Sequence, residues 1–74
     1  MKAVLIDDKK TVRENLKLVI DLYLPNIELV GEAGGVQEGL KLLRSIRPEL
    51  VFMDISMEDG TGFDLLALYG QVDF

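Results

Sequence analysis

Three aspartates are the residues of this 74-residue chain whose types and spacing suit joint chemistry. Asp7 and Asp8 directly follow the apolar run at residues 3–6, and Asp54 directly follows the apolar run Leu50–Met53. Near-continuous apolar runs of this length are typical of strands that are buried on both faces of a parallel sheet. Neighbouring parallel strands end at the same edge of the sheet, which is where ligands bind in open α/β folds. We therefore expect the three carboxylates to face one another at that edge.

A cluster of three carboxylates predicts either a raised pKa or a bound cation. Two unit charges about 4 Å apart repel by about 4 kcal/mol at an effective dielectric constant of about 20. Mg²⁺ relieves such repulsion and is typically held in proteins by one or two carboxylates together with a phosphate. The cluster therefore suits magnesium-assisted chemistry on a phosphoryl group. The alternative is purely local: Asp7 and Asp8 cap the following helix, and Asp54 begins a turn.

The composition excludes several other functions. The chain has no cysteine and no histidine, so it lacks thiol chemistry and a histidine base, and a metal site must consist of oxygen ligands. The formal net charge of −5 argues against a nucleic-acid surface in this chain. No apolar run is long enough to span a membrane or to form a secretory signal, so we expect a cytoplasmic protein without a membrane partner.

The remaining sequence predicts helices that alternate with strands. This alternation predicts a single α/β domain over residues 1–74, with a parallel sheet and right-handed crossovers. The predicted elements are strand Lys2–Ile6, a helix at residues 11–24, a strand at residues 27–33 near an edge of the sheet, helix Val36–Ile46, strand Leu50–Met53, a loop with a turn at Asp59 and Gly60, and a third helix from Phe63 that Gly70 ends. The face of the first helix that is expected to be buried consists of Val12, Leu16, Val19, Ile20 and Tyr23.

Four separated segments resemble one known family. They are Ile6-Asp7-Asp8 after the first strand, Val30-Gly31-Glu32-Ala33 in the second, residues 48–54 (PELVFMD) into the third, and residues 59–66 (DGTGFDLL) after it. Together they extend over essentially the whole chain and resemble the receiver domain of two-component response regulators, closest to receivers that precede a LytTR-type DNA-binding domain. The resemblance implies a flavodoxin-like receiver fold, here truncated to about three βα units with strand order 2-1-3.

The resemblance also implies a role for each residue of the cluster. Asp54 would be the phosphoacceptor that takes a phosphoryl group from a sensor histidine kinase, in a regulatory domain rather than an enzyme. Asp8 would ligate Mg²⁺ directly and Asp7 directly or through water, while Asp54 and the backbone carbonyl of Ser56 would complete the protein ligands. The domain would control an output domain outside this sequence, so DNA would be only an indirect partner.

The sequence departs from the family pattern in several ways. Lys9 stands where the family usually has glutamate, and Glu58 stands where proline usually follows Met57. The chain also ends after roughly three of the family's βα units, without the later serine or threonine, lysine and aromatic residue that respond to the phosphoryl group. We therefore expect strand Leu50–Met53 to form an open apolar edge through which the chain self-associates, for example as a homodimer.

Two further hypotheses remain open from the sequence. A binding or assembly module would act through the open strand edge alone, with vestigial carboxylates. A small magnesium-dependent phosphatase would use Asp54 as its nucleophile, although nothing in the chain supplies an acid for a leaving group. Mg²⁺ affinity separates the phosphoacceptor and the phosphatase from the binding module, and turnover of phosphate esters would support the phosphatase.

Overall fold

The computed structural model describes residues 1–70, so the last four residues of the predicted domain 1–74 lie outside the described residues. Within residues 1–70, strands and helices alternate as predicted, and a short hairpin precedes the last helix. The elements are β1 Lys2–Ile6, α1 Lys10–Tyr23, β2 Glu28–Ala33, α2 Val36–Ile46, β3 Leu50–Met53, β4 Ser56–Met57, β5 Gly60–Thr61 and α3 Gly62–Tyr69. The boundaries predicted for β1, α2 and β3 are confirmed.

Strand β1 is the centre of a three-stranded parallel sheet with the order β2-β1-β3. Its last residue, Ile6, is in register with Ala33 of β2 and with Met53 of β3, so the three strands end level with one another. All four apolar residues of β1 are buried, as expected of a strand between two neighbours. The predicted α/β class, the strand order 2-1-3 and the edge position of β2 are confirmed.

The main core lies between the sheet and helices α2 and α3. Leu43 of α2, Leu65 of α3 and Ile6 of β1 are fully buried in one hydrophobic cluster. Gly39 allows α2 to approach closely, because a Cβ atom there would lie 2.9 Å from Leu65 Cδ2 and 3.1 Å from Ile6 Cγ2. This packing fixes β1, and hence the aspartates that follow it, relative to α2 and α3.

Helix α1 buries less of its apolar face than the sequence predicts. Ile20 is 4% exposed and Leu16 is half-buried, but Val12 is 41%, Val19 45% and Tyr23 73% exposed. Helical periodicity marks a face that is able to be buried, whereas burial itself requires a packing partner on that side. The prediction was therefore wrong for the outer part of this face in the described chain. None of the helices within residues 1–70 is long and apolar enough to cross a membrane.

The segment after β3 is more regular than the predicted loop. Ser56 pairs with Thr61 and Met57 with Gly60 in an antiparallel hairpin, and Gly60 has a φ of 144° that favours glycine. Two-residue strands are too short for an alternation of apolar and polar residues to reveal them, so the prediction missed β4 and β5. Helix α3 begins one residue earlier than predicted, and Gly70 ends it in the left-handed conformation as expected.

Candidate functional site

The three predicted aspartates lie together at the carboxyl edge of the sheet. One carboxylate oxygen from each of Asp7, Asp8 and Asp54 lies within 4.8 Å of the other two. Backbone hydrogen bonds that continue the sheet hold two of them in place: the Asp54 N–H donates to the Ile6 carbonyl at 2.9 Å, and the Asp7 N–H donates to the Ala33 carbonyl at 3.1 Å. The parallel register therefore places the carboxylates, as the sequence predicts.

Asp7 has a local structural role as well as its place in the cluster. It is 8% exposed, and its Oδ1 accepts a hydrogen bond of 2.8 Å from the Lys9 N–H, two residues later. Lys9 is the N-cap residue of α1 and makes no capping hydrogen bond with its own side chain. Asp7 thus satisfies a backbone donor just before the helix. This bond is a turn before α1 and not a cap of its first-turn N–H groups, and Asp8 pairs with the Lys9 ammonium.

Asp54 carries a carboxylate that stays ionised at neutral pH. Partial burial acts to raise its pKa, but hydrogen bonds from the Lys9 ammonium and the Ser56 N–H outweigh burial and leave the pKa below its usual value. The Ser56 N–H lies 3.4 Å from Asp54 Oδ1, so strand β4 begins directly beside the carboxylate. The predicted use of the Ser56 carbonyl as a metal ligand stays a prediction.

Lys9 places a positive charge inside the cluster. Its Nζ atom lies 3.2 Å from Asp8 Oδ1 and 3.2 Å from Asp54 Oδ2, so it bridges carboxylates that follow two different strands. The hydrogen bonds with Asp8 and Asp54 raise the pKa of the Lys9 ammonium. The sequence indicates only that a charge stands next to Asp8, and the structure shows that it reaches Asp54 as well.

Arg13 is a site residue that the sequence analysis missed. Its Nη1 donates a hydrogen bond of 2.6 Å to the Asp7 carbonyl, and its Nε donates one of 3.0 Å to Glu32 Oε1. Lys17 also contacts Glu32, with 2.7 Å between Nζ and Oε2. The hydrogen bond from Lys17, and then that from Arg13, lower the pKa of Glu32 despite its desolvation. Arg13 therefore ties the loop after β1 to β2. The sequence feature that could have indicated this role is the position of Arg13, one turn into α1.

Asp59 is a second residue whose role was missed. Its carboxylate accepts hydrogen bonds from the N–H groups of Val36 at 2.8 Å and Gln37 at 3.2 Å, at the amino end of α2. These two bonds lower its pKa. The contact joins the hairpin after Asp54 to α2. No spacing rule reveals it, because Asp59 and Val36 are 23 residues apart.

The cluster has the donor atoms that a hard divalent cation requires. It offers only carboxylate oxygens, which suit Mg²⁺, Ca²⁺ or Mn²⁺. The Lys9 ammonium, itself a cation, already lies between two of these carboxylates, so the geometry accommodates positive charge there. The residues present therefore fit such an ion, which Asp7, Asp8 and Asp54 could hold together.

Comparison with known proteins decides the family. The family model described as the response regulator receiver domain matches residues 3–71. The chain belongs to the response regulator receiver family. Receiver domains are regulatory phosphoacceptor domains of two-component systems, and several relatives of this one are transcriptional regulatory proteins by name. The resemblance found in the sequence is confirmed.

Several relatives and solved structures are similar to this receiver domain. Sensory transduction protein LytT of Bacillus cereus is 34% identical over 65 residues, which are 88% of this chain and 26% of LytT. Transcriptional regulatory protein MctR of Rhizobium johnstonii is 38% identical over 69 residues, or 93% of this chain and 32% of MctR. The response regulator domain of Thermotoga maritima CheB superposes with a TM-score of 0.84 at 29% identity, covering 92% of this chain and 50% of that domain.

The matched region is only part of each of these proteins. The receiver chain spans 26% of LytT and 32% of MctR, and about half the length of the solved receiver structures, including 52% of the receiver domain of AraT from Geobacillus stearothermophilus. That AraT domain is 33% identical, with a TM-score of 0.79 over 90% of this chain. The similarity therefore concerns about half of each of these solved receiver domains.

Proposed function

We propose that this chain is the phosphoacceptor part of a two-component response regulator. Asp54 accepts a phosphoryl group from a phosphohistidine on a sensor histidine kinase, with the help of Mg²⁺, and thereby controls an output domain outside this sequence. The observation that carries the proposal is the approach of the Asp54 carboxylate to within 4.8 Å of Asp7 and Asp8 at the end of two adjacent parallel strands. Family membership supports the same reading.

The transfer depends mainly on a carboxylate nucleophile and on the placement of the phosphoryl group relative to it, and less on acid–base catalysis. A carboxylate oxygen of Asp54 attacks the phosphorus atom and forms an acyl phosphate. The phosphorus–nitrogen bond of the phosphohistidine breaks, and its electron pair leaves with the imidazole ring, which takes a proton from solvent. Because the pKa of Asp54 is lowered, the nucleophile is already ionised and requires no general base.

The remaining aspartates provide the charge environment for this transfer. A divalent cation, when bound, neutralises charge on the transferred group. Asp7 and Asp8 would hold that cation together with Asp54 and the Ser56 carbonyl. Arg13 keeps the Asp7 backbone in place through the Asp7 carbonyl, and the Ser56 N–H orients the Asp54 carboxylate. These two hydrogen bonds hold the acceptor carboxylate and the Asp7 backbone in place for the transfer.

The acceptor role is tested with a small phosphoryl donor. The 74-residue chain is incubated with acetyl phosphate, with and without Mg²⁺, and its intact mass is measured. We expect one phosphoryl addition that requires Mg²⁺, is removed by hydroxylamine and is lost in Asp54→Asn. Asp21→Asn, which changes an exposed aspartate of α1, should behave like the wild type. Equal modification of Asp54→Asn, or none of the wild type with Mg²⁺, would contradict the proposal.

Self-association through β3 is a second candidate function. β3 is an edge strand of the three-stranded sheet, and all four of its residues are only partly buried. Ile55, two residues after β3, is 63% exposed, and Phe63 at the start of α3 is 68% exposed. An open apolar strand edge pairs readily with another chain. We propose a homodimer that forms through this edge.

Sedimentation equilibrium tests the dimer. We expect the apparent mass to rise with protein concentration, and Ile55→Lys to weaken the association. Leu22→Lys, at a residue of α1 that is 68% exposed, serves as the control. A chain that stays monomeric and unfolds cooperatively in dilute solution would rule out the dimer.

The cellular setting follows from the proposed signalling role. We propose a cytoplasmic protein whose direct macromolecular partner is a sensor histidine kinase. DNA would be reached only through the output domain, because the net charge of −5 of the 74-residue chain does not favour contact with a polyanion.

A further inference from the structure

Lys9 brings a positive charge onto the carboxylates that the proposed function assigns to Mg²⁺. Its Nζ atom lies 3.2 Å from an oxygen of Asp8 and 3.2 Å from an oxygen of Asp54. The Lys9 side chain is 61% exposed, whereas the side chains of Asp8 and Asp54 are 19% and 24% exposed. The ammonium therefore reaches from solvent onto two mostly covered carboxylates and joins the ends of β1 and β3.

The ammonium and a divalent cation compete for the same two carboxylates. Mg²⁺ approaches a carboxylate oxygen to about 2.0–2.1 Å and brings ordered water with it, so Lys9 has to release Asp8 and Asp54 when the cation binds. The Lys9 backbone stays beside the site, because its N–H is held by Asp7 Oδ1 at 2.8 Å, so the ammonium remains within the reach of its own side chain. Binding of the cation therefore breaks the two ion pairs of Lys9 with Asp8 and Asp54, and the nearby ammonium also repels the cation.

We propose that Lys9 is the resident counter-ion of the acceptor site, which keeps Asp8 and Asp54 paired in the metal-free protein and lowers the affinity of the site for divalent cations. This inference rests on the proposed function, because it assigns the cation to the same carboxylates. Lys9 is a positioning residue, because it acts on the cation through its contacts with Asp8 and Asp54. Its effect is to restrict occupancy of the site to conditions in which Mg²⁺ is abundant.

The test compares Mg²⁺ dissociation constants measured by isothermal titration calorimetry on the 74-residue chain. Lys9→Met removes the charge and keeps most of the length of the side chain. Lys10→Met is the matched control, because it removes the same charge one residue later, where the ammonium faces Glu14 at 3.9 Å. At low ionic strength we expect Lys9→Met to bind Mg²⁺ about tenfold more tightly than the wild type. Lys10→Met should change the affinity by less than about twofold, and high salt should shrink the difference made by Lys9.

Thermal unfolding without metal gives a second readout. Lys9→Met should unfold at a lower temperature than the wild type in EDTA, since its carboxylates lose their counter-ion, and Lys9→Arg should restore most of the loss. Equal Mg²⁺ affinities for the wild type, Lys9→Met and Lys10→Met would overturn the counter-ion role and leave the proposed function standing. If none of the three chains binds Mg²⁺, the metal-dependent part of the proposed function fails, and the counter-ion role fails with it.

Discussion

The Asp59 carboxylate accepts a hydrogen bond of 2.8 Å from the Val36 N–H and so caps α2 from the β4–β5 hairpin. The residue that precedes α2 is Gly35, which has no side chain to cap the helix itself. A Cβ atom at Gly35 would lie 2.8 Å from Asp59 Oδ1, so the glycine leaves room for this distant cap. The negative charge also suits the positive end of the helix. The segment after the proposed acceptor is thereby attached to α2.

Replacing Asp59 by alanine should destabilise the protein. The change leaves the Val36 and Gln37 N–H groups without their acceptor and removes a favourable charge from the amino end of α2. Urea unfolding followed by circular dichroism measures the loss. Glu58→Ala, which changes the exposed neighbour in the same turn, should leave the midpoint close to that of the wild type. Equal losses for the two variants would show that the cap contributes nothing.

The contribution of Asp59 should depend on pH. Its pKa in the folded protein is lowered below the ordinary value of 3.8 by hydrogen bonds from the Val36 and Gln37 N–H groups. Because the pKa of Asp59 is lower in the folded state than in the unfolded state, the stability that Asp59 contributes is fully present above its unfolded-state pKa. That contribution is lost as the pH falls through its folded-state pKa. We expect the stability difference between the wild type and Asp59→Ala to be constant from about pH 5 to about pH 7, roughly 1 to 3 pH units above the ordinary pKa of 3.8, and to shrink as the pH falls below 3.8. A difference that grows on acidification would contradict this assignment.

Gly62→Ala should disturb the backbone of the acceptor. A Cβ atom at Gly62 would lie 2.9 Å from the Asp54 carbonyl oxygen and 2.9 Å from Met53 Sδ, and the backbone contact cannot be relieved by a side-chain rotation. We expect a loss of about 1–3 kcal/mol in the free energy of unfolding and altered amide resonances at Asp54. Gly34→Ala is the control, because its Cβ would meet only the ends of flexible side chains, the nearest at 3.3 Å. Similar losses in both variants would refute the steric explanation.

Ile20 should carry most of the packing energy of α1. It is 4% exposed, while Leu22 on the same helix is 68% exposed. We expect Ile20→Ala to lower the free energy of unfolding by about 2–4 kcal/mol and Leu22→Ala to change it by less than about 0.5 kcal/mol. Chemical denaturation of both variants measures the difference. A large loss for Leu22→Ala would mean that α1 packs through the face that the structure leaves exposed.

The fold could be predicted where local pattern and long-range packing agree. The run Leu50–Met53 and the helix Val36–Ile46 have the predicted boundaries, since a short apolar run bounded by polar residues is typical of a strand in a parallel sheet and Pro48 excludes a longer helix. The exposed face of α1 and the β4–β5 hairpin could not be predicted in the same way. Burial of α1 depends on what lies opposite it, and a hairpin with two-residue strands carries no periodic signal.

The sequence by itself determined that Asp7, Asp8 and Asp54 would meet, because each follows a strand of a parallel sheet and such strands end at one edge. It also determined the family, through segments spread over the chain. Only the tertiary structure decided how the carboxylates are neutralised and held. The bridge from Lys9 to Asp54 joins residues 45 positions apart, and the hydrogen bond that the Val36 N–H donates to Asp59 joins residues 23 positions apart. Such contacts depend on side-chain directions that only the packed sheet and helices fix, and no spacing along the chain encodes them.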